Sequence, residues 1–180
     1  MALFDPIFTG ELLRLAPPVS EDSVIFASWT LDDDYMRMMD DDPVQPHATA
    51  TFGDSRDKNS FYFHLRTLDD DTVIGFVALF NIKWRNQSAE FAIGIGDKNY
   101  RGKGYGYDAL KLVLNYAFNE LCLHRVSLTV MDYNKPAIKA YERVGFMREG
   151  TYRQAVQRQG KRHDLLLYGI LRDEFLLVNK

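Results

Sequence analysis

The stretch YRGKGYG, residues 100–106, sets glycines at alternate positions 102, 104 and 106, with Arg101 and Lys103 interleaved. A helical period begins at once behind it. Leu110, Val113, Leu114, Ala117, Phe118 and Leu121 follow the 3-and-4 spacing of one helix face, with the start expected near Gly104. Ahead of it, SAEFAIGIG (88–96) alternates as a strand. The glycines therefore sit where a strand hands over to a helix N-terminus. Free main-chain N–H groups and the helix dipole favour an anion there by about 0.3–2 kcal/mol. Glycines let the backbone come close to phosphate oxygens and adopt positive φ, and Arg101 and Lys103 add charge. A helix-start turn that holds no ligand is the plainer alternative, though three alternate glycines are a costly way to make one turn.

Two familiar phosphate loops do not fit. The Walker pattern needs a Lys-Ser or Lys-Thr that is missing, and the dinucleotide pattern counted from Gly102 and Gly104 needs a glycine at 107, where Tyr107 stands. Working outward, SFYFHLRTL (60–68) and TVIGFVALFNIKW (72–84) read as strands that form an antiparallel meander with 88–96. ELLRLAPP (11–18) is a strand ended by Pro17 and Pro18, and Ser20 is a candidate helix cap. After the glycine helix come a short buried strand, RVSLTV (125–130), and a second helix, NKPAIKAYERVGF (134–146). Pro136 suits that helix's first turn and Gly145 its end. EGTYRQAVQ and HDLLLYGIL close the chain as strands joined by a turn at RQGKR. The class is mixed α/β and not doubly wound.

The length of 180 residues fits a single domain, 1–180, with room for a core. A formal net charge of −3 argues against a general nucleic-acid binder. No apolar run reaches the roughly 18 residues that span a membrane, and no signal peptide is apparent, so a cytoplasmic location is expected. The single cysteine, Cys122, excludes an internal disulfide, and its apolar neighbours suggest a buried thiol. The histidines, His47, His64, His124 and His163, have no metal-ligand spacing, and no metal is expected.

Arg101, Gly104 and Gly106 read as Arg-x-x-Gly-x-Gly, and NKPAIKAYERVGF follows downstream. Together they resemble the GNAT N-acetyltransferase superfamily, nearest its branch of ribosomal-protein N-terminal and spermidine acetyltransferases. The resemblance runs from ELLRL to LLLYGIL. It implies a central, mostly antiparallel twisted sheet of about six to seven strands with about four helices. It also implies direct acetyl transfer from acetyl-CoA to an amine, through a ternary complex and without an acyl-enzyme. In this family the loop cradles the coenzyme pyrophosphate, which implies roles for Arg101, Gly102, Lys103, Gly104, Tyr105 and Gly106. The backbone of Ile93, Gly94 and Ile95 would take the pantetheine arm, with a bulge or splay at Gly94 freeing N–H groups. Asn134 would cap its helix and, with Ala137, meet the coenzyme.

Tyr141 matches the family's helix tyrosine, the general acid for the departing thiolate; a core tyrosine is the alternative. Glu90 shares the parity of Gly94 and hence its sheet face. It could take the amine proton, anchor a cationic acceptor, or simply be exposed. DDDYMRMMDDD (32–42) carries six aspartates against one arginine. Such a run is commonly a solvated face, but in this family the region lies near the acceptor groove. Asp40, Asp41 and Asp42 would then draw in a cation over a Debye length of about 8 Å, and Trp29 could add a cation–π contact. The expected partner is a cationic amine, preferably a protein or peptide N-terminus, with a polyamine as the alternative. A homodimer stays open. A non-catalytic acyl-CoA-binding module is the alternative of another class.

Overall fold

The computed structural model describes residues 6–39, 43–48, 50 and 57–179. Asp40, Asp41 and Asp42 lie outside the described residues. The chain runs β1 (Leu13–Ala16), α1 (Ser23–Trp29), α2 (Asp33–Met39), β2 (Phe61–Thr67), β3 (Val73–Lys83) and β4 (Ser88–Ile95). It continues with α3 (Tyr105–Asn115), β5 (Arg125–Met131), α4 (Lys135–Val144), β6 (Met147–Arg158), β7 (Lys161–Leu171) and α5 (Arg172–Val178). The seven strands form one sheet in the order β1-β2-β3-β4-β5-β7-β6. Only the β4–β5 pair is parallel; the other neighbours are antiparallel.

The two sheet faces follow from strand alternation. Ala89 and Phe91 of β4 belong to the larger core, with Leu110, Val113, Leu114 and Phe118 from the α3 side and Tyr141 and Val144 from α4. Each such fully buried aliphatic or aromatic side chain contributes about 1.5–3 kcal/mol. Ala92 of β4 instead packs on a second cluster of Phe26, Trp29, Tyr35, Val73 and Phe76, built by α1 and α2. That side is tied down by a buried ionic knot. Arg66 donates to both carboxylate oxygens of Asp22 at 2.6 and 2.7 Å, and His64 Nδ1 lies 2.6 Å from the same group. Burial pushes the His64 pKa down, against the partial pull of Asp22 in the other direction.

Several expectations are revised. The first short helical turn spans Ser20–Asp22 with Val19 at its N-cap position, so the Ser20 side chain makes no cap. The glycine helix continues past Asn115 as a π turn, Tyr116–Glu120. The last helix, α5, was not foreseen. Cys122 is exposed rather than buried, at φ 53°, because the chain turns there between the π turn and β5.

Candidate functional site

The parallel strands β4 and β5 pair only at Ser88–Arg125, Ala89–Val126 and Glu90–Ser127. Beyond that point β4 stays with β3 as far as Ile95, and β5 stays with β7 as far as Met131. The sheet therefore opens into a wedge whose apex is the Glu90–Ser127 pair. The backbone of residues 91–95 has lost its β5 partner on that side. The expected splay is present, but it starts at 91, and Gly94 itself is in regular register with Phe76. Gly94 has a different reason to be glycine. A Cβ there would lie 2.8 Å from Met39 Sδ, the Tyr35 hydroxyl and a Phe76 ring carbon. The missing side chain lets α2 approach β4.

At the wide end of the wedge stands the glycine loop. Gly102 has φ 74° and Gly104 has φ 95°, the latter as the N-cap of α3, and both values favour glycine. A Cβ at Gly102 or Gly106 would meet nothing within 4 Å. The space in front of the loop is open. Arg101 N–H bonds Lys98 O, and the next main-chain bond is Asp108 N–H to Gly104 O. Among the described residues, the N–H groups from 102 to 107 donate to no protein acceptor. A row of unmatched donors at the start of an eleven-residue helix fits a pyrophosphate. Lys103 is exposed and Tyr105 half-buried, its ring 5.1 Å from Tyr100.

The Arg101 guanidinium is committed elsewhere. It donates to Ile95 O at 2.9 Å and Gly96 O at 2.5 Å, pairs with Asp32 at 3.1 Å, and stacks 5.3 Å from the Tyr35 ring. Its side chain holds the loop against β4 and α2. Asp32, beside that guanidinium and accepting N–H bonds from Tyr35 and Asp34, has a pKa held below the usual carboxylate range despite a desolvation penalty.

Tyr141 is buried at 7% exposure, edge-on to Phe91 at 6.3 Å and to Phe146 at 5.8 Å. Its hydroxyl has no hydrogen-bond partner among the described residues. Burial alone pushes its pKa well above that of free tyrosine. Asn134 caps α4 as expected, accepting from Ala137 N–H at 3.3 Å, and Ala137 packs on the larger core. Glu90 is exposed on the Gly94 face, 3.3 Å from the Asn81 amide. Ile93 and Ile95 turn to the larger core. Trp29 is buried, closing on Phe26 at 4.8 Å. Gly96 leaves room for it, since a Cβ there would fall 1.9 Å from the indole. An edge of Trp29 lines an open cleft of about 590 Å³ shared with Asp32, Asp33, Asp97 and Lys98. Among the described residues, no three His, Cys, Asp or Glu side chains group to hold a metal, and no helix is long and apolar enough to cross a membrane.

Two contributors were missed by the sequence reading. Asp108, buried in the first turn of α3, accepts N–H bonds from Glu11, Leu12 and Leu13 at 3.1, 2.8 and 3.2 Å. Its sequence signal is a lone acid entering an apolar helix face. Tyr133 donates to Arg37 O at 2.8 Å and carried no signal beyond standing next to the cap Asn134.

The acetyltransferase (GNAT) domain family matches residues 13–147. This chain belongs to that family. It is similar to the SPbeta prophage-derived uncharacterized N-acetyltransferase YokL of Bacillus subtilis, with 32% identity over 94% of this chain and 96% of the relative. A second Bacillus subtilis protein, YdaF, named provisionally as a ribosomal N-acetyltransferase, is 34% identical over 60% of this chain and 58% of its own. The spermidine N(1)-acetyltransferase of Vibrio cholerae is 34% identical over 58% of this chain and 60% of the relative. Spermidine N-acetyltransferase from Vibrio cholerae, solved in complex with CoA and spermine, shares the fold at TM-score 0.79 and 24% identity, over 91% of this chain and 98% of that one. The protein is an acetyl-CoA-dependent N-acetyltransferase of GNAT type.

Proposed function

We propose that the preferred acceptor is the α-amine of a protein or peptide N-terminus, acetylated directly in a ternary complex within the 180-residue domain. The observation that carries the choice is the exposure of Glu90, a carboxylate at the wedge apex on the Gly94 face. A solvent-screened carboxylate assists proton removal weakly. The amine must arrive largely neutral, which an α-amine with a pKa near 8 does far better than an alkylamine near 10.

Acetyl-CoA supplies an acyl thioester. The loop N–H groups at 102–107 hold its pyrophosphate, and the freed backbone at 93–95 receives the pantetheine arm. The amine nitrogen bonds to the acyl carbon and the carbon–sulfur bond breaks. Glu90, directly or through water, passes the amine proton to solvent, and the Tyr141 hydroxyl gives one proton to the departing sulfur. Asp40, Asp41 and Asp42 draw in basic residues behind the acceptor terminus. The protein works at cytoplasmic pH and needs no metal.

A polyamine is the second reading, favoured by the similarity to the Vibrio cholerae spermidine enzyme. Its remote ammonium would meet the aspartates while its reacting end met Glu90. Thiol release from acetyl-CoA decides between them, with spermidine, putrescine, and peptides starting with Ala, Ser or Met, with and without following lysines. Turnover confined to peptides is expected. Turnover confined to polyamines would overturn the preference.

A further inference from the structure

Helix α2 is held at both ends by the elements that serve the coenzyme. At its N-terminal end Asp32 accepts N–H bonds from Asp34 at 3.1 Å and Tyr35 at 3.3 Å, capping the helix, while Arg101 of the glycine loop pairs with the same carboxylate at 3.1 Å. The guanidinium also lies 5.3 Å from the Tyr35 ring, on the first turn. At the C-terminal end the residues that lead into α4 reach back. Tyr133 donates to Arg37 O at 2.8 Å and Asn134 to Met38 O at 3.3 Å. Those are last-turn carbonyls that have no partner within the helix. Between the two clamps, Tyr35 and Met39 fill the space above Gly94. Seven residues of helix thus bridge the wedge, one end fastened to the loop beyond β4 and the other to the start of α4 beyond β5.

We infer that α2 couples the two substrate sites: coenzyme bound between the loop and α4 sets the spacing of the clamps and so orders α2 on the acceptor side, with Tyr133 and Arg101 as positioning residues. This rests on the coenzyme placement proposed above. A seven-residue helix is too short to hold itself together in water, so its order depends on tertiary ties. The wedge can change its opening without breaking sheet pairing, because β4 and β5 share no bonds past Glu90 and Ser127. Any such change moves the Arg101 clamp relative to the Tyr133 clamp. Ligands that alter the relative stability of such an element at one site must alter affinity at the other to the same factor.

The test is amide exchange across 33–39 with CoA as the probe, and CoA affinity measured in parallel by calorimetry. The variants are Tyr133→Phe and Asp32→Asn. The first removes one hydroxyl and keeps the ring that lies 4.7 Å from His163. The second keeps the cap, since asparagine caps well, and removes the charge facing Arg101. In the wild type, saturating CoA should slow α2 exchange several-fold. In each variant that several-fold slowing should fall to near one, as expected when one hydrogen bond is lost, with CoA affinity lowered by no more than the same factor. A tie that is only structural would speed exchange equally with and without CoA, and that result overturns the inference. So does unchanged α2 exchange in wild type that binds CoA. Failure to bind CoA at all would remove the coenzyme placement itself, which calorimetry reports separately.

Discussion

Tyr141→Phe should separate catalysis from stability. The substitution removes one oxygen from a buried ring whose hydroxyl has no partner among the described residues, and it keeps the edge-on contacts to Phe91 and Phe146. That hydroxyl makes no bond to the protein, so its loss should change the unfolding free energy by only 0 to about +1 kcal/mol. For a chain of this size that moves Tm by 0 to about +4 °C. If Tyr141 gives a proton to the leaving sulfur as proposed, that proton is worth about 10²–10⁴ in rate, or roughly 3–5 kcal/mol of transition-state free energy. The expected outcome is a kcat lowered at least a hundredfold, CoA affinity unchanged, and Tm level or raised. The pH profile adds a check. Burial raises the Tyr141 pKa above its unfolded value near 10, so the acid stays protonated through the whole neutral and mildly alkaline range. Activity should therefore climb as the acceptor amine deprotonates, with no falling limb from Tyr141 below pH 10. The stability that goes with its burial is complete below pH 10 and is lost as pH rises above it. Thiol-release kinetics, calorimetry and melting curves supply the data. A kcat within threefold of wild type, with Tm unchanged, would refute the assignment of Tyr141 as the acid.

Gly106→Ala should raise Tm, because a glycine inside a helix costs up to about 1 kcal/mol against alanine and the added methyl meets nothing. The same methyl enters the space in front of the loop donors, so CoA affinity by calorimetry should fall at least tenfold. Asp108→Asn should cost about 2–3 kcal/mol in urea unfolding, since a charged acceptor of three N–H bonds is replaced by a neutral one. The burial-lowered pKa of His64 gives a signed pH dependence. Its contribution is complete above the unfolded value near 6.5 and is lost as pH falls below it, because the unfolded state then binds the proton first. Urea midpoints from pH 7.5 to 5 should fall in the wild type and flatten in His64→Gln.

The sequence announced the backbone devices far better than the side-chain ties. Gly102, Gly104 and Gly145 are legible because positive φ demands glycine and the helix periods beside them are strong. Asn134 is legible because capping is local. A bulge or splay at Gly94 was expected, but not the β4–β5 wedge or its apex, since where two parallel strands part depends on contacts 37 positions apart, as Glu90 to Ser127. Arg101 shows the limit most clearly. An arginine beside a glycine loop reads as a phosphate ligand, yet Ile95 O, Gly96 O and Asp32 claim its donors. Local pattern carries the charge of a side chain and not the direction in which it points. Tyr133 fails for the same reason, because its partner carbonyl is 96 residues away.

The wedge also separates the two proton movements of the proposed reaction in space. Tyr141 packs edge-on to Phe91 on the α3–α4 side of the sheet, while Glu90 lies on the opposite face with Gly94. An acid and a base on the same face, a few ångströms apart, would pair with each other and blunt both functions. Divided by the sheet in the proposed reaction, a Tyr141 acid would stay neutral in an apolar core and a Glu90 base would stay wet, the two meeting only through substrate atoms in the gap past Glu90 and Ser127. Acceptor choice then depends on the wet side alone. Changes at Glu90 should shift which amine is acetylated and leave coenzyme affinity in place, whereas changes at the glycine loop should weaken the coenzyme for every acceptor alike.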